Sequence, residues 1–196
     1  MIRIGLDLDN TLIDYSEAAR VYSKKIGEKE CNDIASLRIE LRERSDLEWQ
    51  KAQAWIYTEG LAYAKPAQGW TYFLQKISEF DTEIFIVSHK TQYIQSKTEN
   101  LDLHSYATKW LKNILKMQDI HQIRSVSFLP TRKAKIKRIA SFKLQYFVDD
   151  LLEVLEDPEF PTEVRRILFN PSSNECSIAS VASFYDLVEM IYGTKR

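Results

Sequence analysis

The N-terminal run MIRIGLDLDNTLIDY places two aspartates, Asp7 and Asp9, one residue apart where an apolar strand of Ile2, Ile4, Leu6 and Leu8 should be ending. A carboxylate is costly to bury without a partner, so a metal ion, a reaction or water must meet these two. Three other stretches carry matching chemistry. Ser88 closes the apolar run EIFIVS and is followed by His89 and Lys90; the basic run TRKAKIKR contains Lys135; and an acidic pair, Asp149 and Asp150, follows QYFV. Four carboxylates brought together repel one another unless a cation stands between them, and hard oxygen ligands with spare water positions suit Mg2+. With Mg2+ and a lysine at hand, the natural guest is a phosphoryl group, whose transfer relies on positioning and charge neutralisation.

These residues meet only if the chain between them folds to a common edge. Five short runs read as buried parallel strands: residues 2–8 (IRIGLDL), 83–88 (EIFIVS), 124–129 (RSVSFL), 145–149 (QYFVD) and 165–170 (RRILFN). Helical patterns separate them, over 70–80, over TQYIQSKTENL after the second strand, over 131–142, and in ASFYDLVEMIYG near the C-terminal end. This alternation predicts an α/β fold, a doubly wound parallel five-stranded Rossmann-like sheet. Ligands of such sheets gather beyond the carboxyl ends of the strands. Asp7, Asp9, Ser88, Asp149 and Asp150 all fall at such ends, and Lys135 falls in the opening turns of the helix after the third strand. If Thr131 caps that helix, Ile136, Ile139 and Ala140 form its sheet-facing stripe and Lys135 lies on the same flank, while Lys133 and Lys137 project elsewhere.

Residues 15–65 contain no convincing strand and are rich in charge and helix formers, which predicts a small helical insertion above the end of the first strand. The expected division is a core of 1–14 and 66–196 with a helical cap of 15–65, Pro66 and Gly69 marking the return to the sheet. Within the insertion, Trp49, Trp55, Tyr57 and Tyr63 either line a substrate pocket or, as aromatic residues at helical spacing more often do, fill a core. Arg38, Arg42 and Lys65 either meet a second anionic group of a substrate or form a solvated face. His104 and His121 have no matching ligand cluster.

The string Asp7-Leu8-Asp9-Asn10-Thr11-Leu12 after an apolar strand resembles the first motif of the haloacid dehalogenase superfamily, most of whose members are phosphatases. The remaining motifs follow in that family's order: Ser88 ending FIVSHK, a lysine before the fourth strand, and the acidic pair of YFVDD. The resemblance covers residues 1–14 and 66–196, and the insertion lies where the family carries its C1 cap. SHKT, TRKAKIKRI and FVDDLLEVLEDPEFP also resemble a narrower branch described only as haloacid dehalogenase-like hydrolases.

The resemblance implies that Asp7 is a nucleophile forming an aspartyl-phosphate and that Asp9 protonates the leaving oxygen and later draws a proton from water. It implies that Ser88 and Lys135 bind phosphate, with Lys133 as the fallback. His89 is grouped with them, although it and Lys90 either contact the substrate or a residue of the insertion or, equally, face solvent. Mg2+ would be held by the Asp7 carboxylate, the Asp9 backbone carbonyl and Asp150, with Asp149 in an outer or water-mediated role. Glu153, one turn on, belongs to the outer sphere or is a helix-surface acid. The acid at position 9 speaks against dehalogenation, since dehalogenating members typically lack it.

Lys and Arg total 27 against 28 Asp and Glu, a net charge of -1, so nothing overall draws the chain to nucleic acid or an anionic membrane, and any phosphate must be held locally. Cys31 and Cys176 lie far apart without CxxC spacing, which suggests neither a zinc site nor a disulfide framework and fits a reducing compartment. No apolar run approaches the roughly 18 residues of a membrane span. The expectation is a cytoplasmic, Mg2+-dependent phosphomonoesterase acting on a small phosphorylated metabolite, with no nucleic-acid or membrane partner. Two alternatives stand beside it: a phosphomutase or phosphotransferase on a sugar phosphate, and a binding protein that kept the fold without the chemistry. Neither substrate identity nor oligomeric state is encoded in these motifs.

Overall fold

The apolar N-terminal run forms strand β1 (Ile2–Leu6), whose Ile4 and Leu6 are fully buried. In the computed structural model, which describes residues 1–95, 100–116, 119–171 and 177–193, the later strands follow as β2 (Ile13–Asp14), β3 (Lys65–Pro66), β4 (Thr82–His89), β5 (Tyr93–Gln95), β6 (Asn100–Asp102), β7 (Ile123–Leu129), β8 (Tyr146–Asp149), β9 (Arg165–Phe169) and β10 (Ser180–Val181). The helices are α1 (Ser16–Lys25), α2 (Ile34–Arg44), α3 (Asp46–Ile56), α4 (Trp70–Ile77), α5 (Leu103–Asn113), α6 (Arg132–Ser141), α7 (Leu152–Leu155) and α8 (Phe184–Tyr192), with a 3-10 turn at Glu59–Ala62.

Six strands form one sheet in the order β10-β9-β8-β1-β4-β7, with every neighbouring pair parallel. The expected doubly wound α/β fold is therefore present, and the sheet has six strands where the sequence suggests five. The added strand, β10, is two residues long, too short to impose a periodicity on the sequence. The chain builds outward from β1 through β4 and β7, then returns to the other side of β1 through β8, β9 and β10. The reversal leaves a switch point at the carboxyl ends of β1, β4 and β8, where open α/β sheets place their ligands.

Alternating side chains give the sheet two apolar faces. Phe85, Val87, Phe147 and Leu168 pack with Ile139 of α6 and Leu155 of α7 on one face. On the other, Phe169 lies 5.5 Å from Phe184 of α8, which in turn packs at 5.1 Å against both Trp70 and Phe73 of α4. Ile136 and Ile139 are buried as the helical stripe requires, but Ala140 is exposed, so the buried stripe of α6 is narrower than the sequence suggests.

Gly5 explains how closely β1 and β8 approach on the α6 face. A Cβ there would stand 2.4 Å from Phe147 Cδ2 and 2.5 Å from Leu144 Cδ1, so both side chains would have to move. Gly5→Ala is expected to destabilise the protein by about 1–3 kcal/mol, the usual scale of overpacking. Urea denaturation checks this; unchanged stability would mean that the core yields there freely.

The chain divides into two compact units, Met1–Leu12 with Pro66–Lys90 and Gln118–Arg196, and Ile13–Lys65 with Thr91–Met117. The second unit thus contains more than the 15–65 stretch expected from the sequence. Its added segment also differs from the helix expected over TQYIQSKTENL. Tyr93 pairs with Asp102 and Ile94 with Leu101 in an antiparallel hairpin of β5 and β6, residues 96–99 lying outside the described residues. Aromatic and β-branched side chains at 93 and 94 favour the pleated conformation over the helical one. Asp102 then caps α5 by accepting from Ser105 N at 3.1 Å, and Trp110 Nε1 donates to Ala64 O at 3.5 Å, tying α5 to the residues after α3.

Within this unit Asp33 caps α2 and Ser45 caps α3. Trp49 is buried as a core residue, whereas Trp55 is half-buried between Tyr22 at 5.4 Å and the exposed Tyr63 at 6.0 Å. Tyr57 is half-buried against Tyr15, Arg42 pairs with Asp46 at 3.6 Å, and Arg38 and Lys65 are exposed. Cys31 is buried and its thiol donates to Asp33 O; Cys176 lies outside the described residues. Among the described residues no helix is long and apolar enough to cross a membrane.

Candidate active site

Asp7 stands just past β1, and its N–H donates to Val148 O at 2.8 Å, keeping it against β8 for one residue more. That places its side chain beside Asp149, the last residue of β8. Lys135 joins the two from α6: its Nζ lies 2.5 Å from Asp7 Oδ1 and 2.6 Å from Asp149 Oδ2. The helix that delivers it starts as expected, Thr131 Oγ1 accepting from Ala134 N at 3.1 Å. All three side chains are almost wholly removed from solvent. Asp149 is held at its other oxygen by Leu151 N at 3.1 Å.

Asp150 is positioned from the opposite strand end. Asn10 has a φ of 61°, in the left-handed region that asparagine enters more readily than most residues, and its Nδ2 donates to Asp150 Oδ2 at 3.2 Å. One carboxylate oxygen from each of Asp7, Asp149 and Asp150 lies within 4.8 Å of the others. The chain segments ending at β1 and β8 therefore meet as the strand-end argument requires.

The electrostatics of this cluster would suit a bound cation. Burial, the largest influence, together with the charges of Asp149 and Asp9 pushes Asp7 up to about 7, against the opposing pull of Lys135. Asp150 is also raised well above the ordinary carboxylate range, by burial first and then by Asp7 and Asp149. Burial alone would lower the Lys135 ammonium, but Asp7 and Asp149 outweigh it and hold it above its usual value. Fully ionised, the three carboxylates would outweigh the one ammonium by two negative charges, an excess that the raised Asp7 and Asp150 relieve by holding protons and that a divalent cation bound through oxygen would neutralise instead.

Two buried hydroxyls stand in the segments that follow β1 and end β4. Ser88 Oγ near the end of β4 and Thr11 Oγ1 within the first motif are buried with no hydrogen-bond partner among the described residues. A buried hydroxyl left unpaired costs about 1–3 kcal/mol, so two of them at one strand edge fit a guest rich in oxygen, such as phosphate. The Asp9 carboxylate turns to a different partner from the other three: Lys90 Nζ lies 2.7 Å from its Oδ2.

Not every candidate gathers here. His89 is exposed, its Nε2 3.3 Å from Pro130 O at the approach to α6. Lys133 pairs with Glu159 at 3.0 Å on the surface, and Glu153 is an exposed partner of Arg132 at 3.4 Å. Motif reasoning gave no role to Asn10 or Thr11, and it left Lys90 open between substrate, the insertion and solvent. The sequence signal for Lys90 is partial: strand alternation continued one residue past β4 puts it on the side of Ser88, and packing decides that this side is buried.

Neither a family model nor a curated protein sequence matches the chain. Solved structures match it over nearly its whole length. A predicted phosphatase from Clostridium acetobutylicum is 14% identical, with 98% of each chain covered and a TM-score of 0.64. A haloacid dehalogenase-like family hydrolase from Streptococcus pneumoniae is 14% identical, covering 97% of this chain and 98% of that one, with a TM-score of 0.61. The fold is that of the haloacid dehalogenase-like hydrolases. A third structure of this fold, a HAD-hydrolase from Bacillus subtilis bound to magnesium, is 13% identical over 97% of this chain and 98% of its own, with a TM-score of 0.61. In the haloacid dehalogenase-like fold of this chain the acidic cluster and Lys135 lie together at the carboxyl ends of β1 and β8, and Ser88 lies near the carboxyl end of the neighbouring β4. At these identities the likeness carries the fold, and the chemistry rests on those residues themselves.

Proposed function

We propose that the protein is a Mg2+-dependent phosphomonoesterase that hydrolyses a small phosphorylated metabolite through an aspartyl-phosphate on Asp7. The observation that carries this reading is the buried, charge-deficient cluster of Asp7, Asp149, Asp150 and Lys135 beside two unpartnered buried hydroxyls. Two of the structural neighbours, a predicted phosphatase and a magnesium-bound hydrolase, agree with it. The small-molecule part follows the resemblance of the insertion to a C1 cap.

Asp7 and Asp150 would hold the cation through their carboxylates, with the Asp9 backbone carbonyl as the further ligand the motif implies; Asp149, tied to Lys135 and Leu151 N, acts from outside. Mg2+ bound there supplies charge neutralisation for the incoming phosphate. An Asp7 oxygen attacks phosphorus, the bond from phosphorus to the ester oxygen breaks, and the leaving oxygen takes its electron pair together with a proton from the Asp9 carboxyl group. In the second half, water gives a proton to the Asp9 carboxylate and its oxygen attacks phosphorus. The bond to Asp7 breaks, phosphate leaves, and both aspartates return to their starting forms. Lys135 offsets charge on Asp7 throughout, and Ser88 and Thr11 donate to phosphate oxygens.

A panel of phosphorylated sugars, nucleotides and short acids, scored for released phosphate, tests the reading. Release that stops with a chelator and returns with Mg2+ is the expected result. Isomerised sugar phosphate without free phosphate would instead establish a mutase, and no turnover at all by folded protein would establish a binding protein. Asp150→Asn is expected to raise the Mg2+ concentration needed for half-maximal activity by about tenfold or more, the scale of altering a metal site's shell. An unchanged Mg2+ titration would contradict its place in the site.

A further inference from the structure

Lys90 is only 4% exposed, unusual for a lysine, whose long stem loses rotamer freedom and whose ammonium loses water on burial. Its backbone is fixed: Lys90 N donates to Leu129 O at 2.9 Å, one residue past the end of β4 and beside β7. From that anchor the Nζ reaches Asp9 Oδ2 at 2.7 Å. The two ammoniums of the site thus divide its carboxylates. Lys135 takes Asp7 and Asp149, and Lys90 takes Asp9.

This division matters because Asp7 and Asp9 lie two residues apart, and an untethered Asp9 carboxylate would be drawn to any cation that Asp7 binds. A buried ion pair is in itself weak evidence for stability, so its use must be sought in what it orients. We infer that Lys90 is a positioning residue, which holds the Asp9 carboxyl group apart from the cation cluster so that it stays available to the leaving oxygen. The inference rests on the phosphomonoesterase reading and adds to it a residue to which the motifs assign no part in the reaction.

The test compares phenyl phosphate, whose leaving oxygen needs a proton, with 2,4-dinitrophenyl phosphate, whose leaving group departs without one, both with saturating Mg2+. Lys90→Met is expected to lower kcat/KM by about tenfold or more on phenyl phosphate and by less than about threefold on the dinitrophenyl ester, because only the first depends on a placed acid. Lys90→Arg, which keeps a cation in reach of Asp9, is expected to restore much of the lost phenyl phosphate rate. In an Asp9→Asn background, Lys90→Met should add no further dependence on the leaving group. Equal losses on the two esters, with or without rescue by arginine, would overturn the inference and leave Lys90 as a phosphate ligand or a packing residue. Wild-type protein inactive on both esters would overturn the phosphomonoesterase reading and this inference together.

Discussion

Asp7→Asn is expected to lower turnover by about 10^3-fold or more, the scale on which removing a nucleophile acts, while the protein stays folded. The amide keeps the size of the carboxylate and still offers an oxygen to Lys135, but it cannot attack phosphorus. It also removes one negative charge from a buried group of three, where burial and Asp149 already push Asp7 up to about 7. The metal-free variant should therefore melt no lower than the wild type. Phosphate release and a thermal melt measured on one sample check both halves. Normal turnover would end the covalent mechanism, and a large fall in melting temperature would mean that the cluster is primarily structural.

Lys135→Met is expected to produce the largest loss of stability. The ammonium is buried between Asp7 and Asp149, 2.5 and 2.6 Å from their oxygens, and a methionine of similar length leaves Asp7, Asp149 and Asp150 with no cation among them. Removing one partner of a buried ion pair costs about 3–5 kcal/mol, because the surviving charges stay desolvated. Urea denaturation without metal measures this. Two further results should accompany it: Mg2+ recovers part of the loss, and Asp7→Asn in the same chain recovers part as well, since each reduces the excess negative charge. A variant as stable as the wild type would show that the three carboxylates find other compensation.

Much of the sheet was legible in the sequence because β1, β4, β7, β8 and β9 are long enough for apolar alternation to stand out. The two residues of β10 are not, and its pairing with Leu168 and Phe169 follows from tertiary position alone. The β5–β6 hairpin escaped for another reason: TQYIQSKTENL mixes helix-compatible polar residues with Tyr93 and Ile94, and periodicity does not weigh the pairing across to Leu101 and Asp102.

The candidate site divides in the same way. Asp7, Ser88, Asp149 and Asp150 could be brought together from sequence because parallel strands present their carboxyl ends at one edge, a rule that needs no side-chain detail. Choosing Lys135 among the basic residues of α6 drew on a capping residue, a helical turn and the resemblance to the family's lysine motif, and the Thr131 cap is present. Side-chain direction at a strand end is harder. His89 and Lys90 are adjacent and both polar, yet one faces solvent and the other is buried against Asp9. Alternation sends them to opposite sides, but only the packing around Leu129 and Asp9 decides which side is the interior.

The central claim is that Asp7 carries the phosphoryl group, and trapping that bond tests it most directly. Protein turning over 4-nitrophenyl phosphate with Mg2+ is quenched in acid, reduced with borohydride and analysed as peptides, since reduction converts an aspartyl-phosphate to homoserine. Homoserine at position 7, formed only when both ester and Mg2+ are supplied, is the predicted result. Continued turnover with position 7 recovered solely as aspartate, or with phosphate found on Ser88 or His89, would contradict it.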